Sequence, residues 1–151
     1  HDDRKLFEML LLESFQAGLS WECILNKREA FRKAFDGFDY RLIASYDEQK
    51  MESLRQDASI IRNKLKIKAA VKNAQVFMDI QKEYGSFDQY IWGFTKGETI
   101  HENNLTSSPL SDKISNDLYR RGMRFVGTTI IYSYLQAIGI IFSHEDDCFL
   151  S

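Results

Sequence analysis

Two cysteines in 151 residues, Cys23 and Cys148, are too few for a disulfide framework. Nothing ahead of the first predicted helix resembles a signal peptide, so the expected compartment is reducing, the cytoplasm. No charge of one sign dominates: 20 Lys and Arg face 22 Asp and Glu, a net charge of -2 at pH 7, with a pI near 5.9. That balance excludes a globally basic chain, and a surface for a polyanion has to come from uneven placement of charge. The longest apolar run, residues 125–142, has about the length of a membrane span, but Thr128, Thr129, Ser133, Gln136 and two glycines interrupt it. It reads as a buried core helix, and no membrane association is expected. Period-two alternation, internal repeats and low-complexity tracts are also absent, and the one proline, Pro109, closes a polar stretch over 95–109.

What is present is an ordinary globular balance, 44% hydrophobic and 28% charged residues, in a chain long enough to bury a core as one domain. Apolar residues recur at helical spacing throughout, which gives an all-α class. Asp2 or Asp3 caps a first helix over 4–17, ended by Gly18, and Ser20 caps a second over 21–35 before Gly37. A short turn over 40–44 leads to Asp47, which caps a helix to residue 56. After a tight connection, 63–84 carries Ile67, Ala70, Val71, Ala74, Phe77 and Ile80 on one face. A short helix over 86–92, a loop over 95–109, a helix capped by Ser111 and ended at Gly122, and a last helix over 127–138 complete the chain.

Three clusters are candidates for chemistry. Residues 10–21, LLLESFQAGLSW, set one carboxylate, Glu13, among leucines and Phe15, then break the helix at Gly18 and restart with Trp21. Glu13 either faces solvent on a narrow stripe or sits at the edge of a cavity, which would make it a site. Residues 57–72 hold Arg62, Lys64, Lys66, Lys68 and Lys72 on a turn and the first turns of a helix. Exposed amides and cations there suit phosphate, though a lysine-rich stretch is also simply a solvated face. His144 and Cys148 have the spacing His-x-x-x-Cys, half of a tetrahedral zinc site.

The string LESFQAGLSW at 12–21, IIRNKLKI at 60–67, RGMRFVGTTIIYSYLQAIG at 121–139 and the histidine and cysteine pair together resemble the DNA-3-methyladenine glycosylase I family. The likeness runs in order over nearly the whole chain, without the family's own N-terminal segment. It implies a helix-hairpin-helix DNA glycosylase fold, helical lobes flanking a base-binding cleft in a single domain over 1–151, with the hairpin element at 47–77. It implies a monomer acting on double-stranded DNA with alkylated bases, flipping out 3-methyladenine and hydrolysing its glycosidic bond. By resemblance, Glu13 is the catalytic carboxylate facing the base, Trp21 the aromatic floor, and Leu19, after Gly18, the wedge that enters the stack. Ser59, Arg62, Asn63, Lys64 and Lys66 would meet the DNA backbone, and Thr128 and Tyr132 would line the pocket. The resemblance also gives His144 and Cys148 to a structural zinc whose other ligands lie in the family's N-terminal segment.

One departure is Ser59, where the family commonly has glycine; a side chain there restricts a backbone that aims amides at phosphate. No lysine nucleophile or post-hairpin catalytic aspartate can be placed, so the expected enzyme is monofunctional, without strand cleavage. The rival readings are a non-catalytic helix-hairpin-helix module that holds the DNA backbone, and a helical interaction domain with no role on DNA.

Overall fold

The computed structural model describes residues 2–16, 21–58, 60, 63–102 and 105–142, with backbone alone for 21–25. Helix α1 (Asp3–Gln16) starts where the Asp2 carboxylate accepts from the Arg4 amide at 3.0 Å. Asp3 does something the sequence did not suggest: its carboxylate accepts from the amides of Phe87 (2.8 Å) and Asp88 (2.9 Å) and so caps a helix over eighty residues away. Helix α2 (Trp21–Ala34) ends in a 3₁₀ turn at Asp36–Phe38, where Gly37 takes φ 69°. Asp39 and Asp47 then cap α3 (Tyr40–Ala44) and α4 (Glu48–Gln56).

A seven-residue connection leads to α5 (Lys64–Tyr84), capped by Asn63, whose side chain accepts from the Lys66 amide, and ended by Gly85 at φ 91°. Ser86 caps α6 (Phe87–Gly93). Two elements differ from expectation. The polar stretch after α6 holds strand β1 (Ile100–His101), which pairs in parallel with β2 (Ile141–Phe142), Ile100 opposite Ile141. Two residues per strand are too few to show alternation. Helix α7 (Pro109–Arg121) is capped by Ser108 rather than Ser111: proline is at home in a first turn, and Ser111 returns the bond to the Ser108 amide as the other half of a capping box. Helix α8 (Thr128–Ala137) follows Gly127, which has no side chain with which to cap it.

Helix α1 is the centre of the packing, touching α2, α5, α6 and α8. Leu6, Phe7, Leu10, Leu11, Leu12 and Phe15 are buried from it, against Ile67, Ala70, Ala74, Phe77 and Ile80 of α5. Phe7 meets the Phe77 ring edge-on at 5.2 Å, and Phe77 stacks on Phe87 at 4.3 Å. Each such side chain contributes roughly 1.5–3 kcal/mol by leaving water. A residue on α1 is therefore held by four neighbouring helices, and Glu13 is on α1.

Candidate functional site

Two carboxylates of α1 are buried, and they fare differently. Glu8, 5% exposed, is held by Arg28 of α2, whose Nε donates at 2.8 Å and whose Nη2 also bonds it, with Lys5 and Arg32 at 3.6 and 3.8 Å. Glu13 is wholly buried, and neither carboxylate oxygen has a hydrogen-bond partner among the described residues. Burial alone pushes its pKa from 4.5 to about 8, so at neutral pH the carboxyl is mostly protonated. The solvent-stripe alternative is thereby excluded. An unpartnered buried carboxyl costs free energy, and such groups concentrate where a ligand supplies the missing partner.

The chain next to Glu13 is tied to a segment that three helices hold. Its neighbour Ser14 donates from Oγ to the Phe125 carbonyl at 3.2 Å. Asn73 of α5 donates from Nδ2 to the Arg124 carbonyl (3.0 Å) and accepts the Arg124 amide on Oδ1 (2.9 Å), and Ser115 of α7 donates to the Val126 carbonyl at 2.6 Å. Three consecutive carbonyls are thus held by three helices, around a Phe125 backbone in the left-handed region at φ 58°. A bulky residue rests there only when its neighbours over-determine it. From α8, Tyr134 donates to the Leu6 carbonyl of α1 at 2.8 Å. Burial, with the charges of Asp3, Glu13 and Asp88, raises the Tyr134 pKa well above 10, so it stays a donor. Ser14, Asn73, Ser115 and Tyr134 were all missed by the motif reading. Their signal is a polar side chain at a core-facing helical position.

Of the expected residues on α8, Tyr132 is buried and donates to Glu102 Oε1 at 2.9 Å. Two residues along a helix turn about 200°, so Tyr132 faces β1 while Tyr134 faces α1. The Thr128 hydroxyl lies 2.7 Å from that of Ser111. Neither contact involves Glu13.

Lys66 requires a correction. Its Nζ donates to the Phe15 carbonyl at 3.1 Å, lies 5.8 Å from the centre of the Phe125 ring, and is 9% exposed, with a pKa lowered by burial. It is an internal cation at the C-terminal end of α1, where the helix dipole favours it, and it is not presented to phosphate. Asn63 serves first as the cap of α5, and Lys64 is exposed beside it. The side chain of Trp21, and Gly18, Leu19, Ser59, Arg62, His144 and Cys148 in full, lie outside the described residues. Among the described residues no three His, Cys, Asp or Glu side chains converge as metal ligands, and no helix is long and apolar enough to cross a membrane.

Compared with known families, residues 1–151 match the methyladenine glycosylase model throughout. The chain belongs to the methyladenine glycosylase family. It is 42% identical over 154 residues to DNA-3-methyladenine glycosylase 1 of Escherichia coli (strain K12), covering 97% of this chain and 82% of that protein. It is 37% identical to DNA-3-methyladenine glycosylase of Haemophilus influenzae, covering 97% and 83%. A solved structure on the basis of 3-methyladenine recognition by 3-methyladenine DNA glycosylase I from Staphylococcus aureus superposes with a TM-score of 0.91 at 32% identity, covering 95% and 79%. The superposition shows that this chain has the helical fold of that structure.

Proposed function

We propose that this chain releases 3-methyladenine from alkylated DNA by hydrolysis, with Glu13 as the carboxylate that meets the flipped base. Glu13 carries the reading, buried on the central helix with both oxygens free of any described partner. N3-methylated adenine in DNA is cationic. A cation beside Glu13 favours the ionised carboxylate, and the adenine edge supplies hydrogen-bond donors to oxygens that otherwise have none. An ordinary neutral base offers no such charge, so discrimination and catalysis share a cause.

The positive charge also makes the base a good leaving group. The glycosidic bond breaks with its electron pair going to the purine, which departs neutral; water adds to the oxocarbenium-like sugar carbon and gives its proton to solvent. No strong general acid is needed, and what the protein supplies is desolvation, placement and a negative charge near the developing cation. In this reading Trp21 stacks on the base, Leu19 beside Gly18 fills the gap in the duplex, and Thr128 and Tyr132 shape the α8 side. Ser59, Arg62, Asn63 and Lys64 hold the backbone at a helix-hairpin-helix formed by α4 and α5. The enzyme is monofunctional and acts on duplex DNA as a monomer.

Methylated duplex incubated with the protein should release free 3-methyladenine, and Glu13→Gln should slow the single-turnover rate by about a hundredfold, the scale of a lost electrostatic stabiliser. Equal rates for the two would remove Glu13 from the chemistry. Zinc on His144 and Cys148 rests on the resemblance, and the pair is only half of a ligand set in this chain. Metal analysis of the purified protein and of His144→Ala checks it, with about one zinc per chain, lost in the variant, as the supporting result and zinc retained in the variant as the result against it.

A further inference from the structure

The overall charge of -2 conceals a sharply uneven surface. Residues 58–78 and 118–144 contain no Asp or Glu, and the fold brings α5 of the first against the turn after α7 of the second: Asn73 bonds both the amide and the carbonyl of Arg124. On α5, Lys64, Lys68 and Lys72 are all exposed and recur every fourth residue, forming one stripe with a rise of about 6 Å between neighbours. The stripe ends against the turn after α7. A Cβ on Gly122 would stand 3.1 Å from Lys72 Cε, so the lysine stem lies along that glycine with its ammonium beyond it.

Arg124 continues the line. Its guanidinium stacks 4.0 Å from the centre of the Tyr119 ring, which is 58% exposed, and its Nη1 donates to the Tyr119 and Met123 carbonyls at 3.3 and 2.7 Å. The remaining edge of the guanidinium is left for another acceptor. Nearby cations are already spent: Arg120 pairs with Asp117, and Arg121 with Asp117 and Glu83. Lys64, Lys68, Lys72 and Arg124 form no ion pair with a described residue. Lys72 and Arg124 are therefore unpaired cations on stems restrained by packing, an arrangement that loses little further side-chain entropy when an anion arrives.

We propose that Lys68, Lys72 and Arg124, with Tyr119 behind the guanidinium, form a second phosphate-contact surface that carries duplex DNA beyond the α4–α5 connection and onto the end of α7. The proposal rests on the reading of this chain as a DNA-acting enzyme, and its partner is the sugar-phosphate backbone, gripped without regard to sequence.

The test is fluorescence-anisotropy titration of a labelled, undamaged duplex of about 20 base pairs between 50 and 200 mM NaCl. The proteins compared are wild type, K72Q/R124Q, K64Q and the charge-matched control K82Q/K113Q. Loss of two phosphate contacts should lower the slope of log K against log salt by about 2 and weaken binding roughly tenfold at 100 mM, while the control matches wild type. A K72Q/R124Q protein that binds like wild type or like the control overturns the surface. If K64Q is weakened in that same experiment, the DNA reading stands without it. Absence of salt-dependent binding by wild type overturns the surface and the DNA reading together.

Discussion

Glu13 links function to stability through one side chain. Its carboxyl is held at a pKa of about 8 in the folded protein and returns to 4.5 when the chain unfolds. Between those values the folded state binds a proton that the unfolded state has released, so stability falls as pH rises through that window and is level above it. At about 1.4 kcal/mol per pKa unit, wild type should lose roughly 3–5 kcal/mol relative to Glu13→Gln between pH 4 and pH 9. Urea denaturation of both proteins across that range measures it, and parallel curves would show that Glu13 is ionised in the fold. The same variant is thus expected to be the more stable protein at alkaline pH and the poorer enzyme, the usual relation at a site built around an unsatisfied group.

Lys66 shows where residue-level reading stopped. A lysine among lysines looked like a phosphate ligand, yet its position is in phase with Ala70, Asn73 and Phe77, all buried on α5. Helical phase carried the signal, and charge composition hid it. Because its ammonium is turned to the Phe15 carbonyl, Lys66→Met should leave the salt dependence of duplex binding within about 0.3 of the wild-type slope, against the decrease of about 1 expected for a phosphate contact. A decrease near 1 would return Lys66 to the DNA surface.

At the scale of elements, most helices were legible from apolar residues at helical spacing, and the structure adds caps that are written just as locally. Asp39, Asp47, Asn63 and Ser86 each accept an amide at the start of the helix they precede. What is not local was not legible: the two-residue strand pair joins positions about forty apart, and Asp3 caps α6 from α1. The segment between α7 and α8 belongs to the same class. Its sequence reads as a glycine-bounded turn, and nothing in it announces that Ser14, Asn73 and Ser115 will each take a carbonyl. Asn73 donates to one of those carbonyls, that of Arg124, accepts the Arg124 amide as well, and is 4% exposed. Asn73→Ala leaves both backbone groups of Arg124 without that partner and should cost about 2–4 kcal/mol, the sum of two poorly replaced hydrogen bonds. Phe125→Gly relieves the left-handed backbone at that residue and should destabilise less than Phe125→Ala. Thermal unfolding of the three variants orders them, and an Asn73→Ala protein as stable as wild type would show that the segment is not held from α5.

Over the whole molecule, the buried residues form one cluster from Leu6 to Ile141, and the two ends of the described chain meet in it. Tyr134 reaches the Leu6 carbonyl across 128 residues of sequence, and α1 rests on α8 as well as on α5. A single cluster of this kind among the described residues is expected to unfold as one unit. Motif strings revealed the family but could not reveal this, because the centrality of α1 depends on which helices close around it. The consequence is cooperative: Phe7, 1% exposed and in ring contact with Tyr40 and Phe77, supports α3 and α5 as directly as its own helix. Phe7→Ala should cost about 3–5 kcal/mol, and the loss should shift the midpoints of far-ultraviolet circular dichroism and of tryptophan fluorescence by the same amount. Separate midpoints would divide the chain into independently folding parts. In that case the hold of α8 on α1, through Tyr134 and the Leu6 carbonyl, would not be needed to keep Glu13 buried.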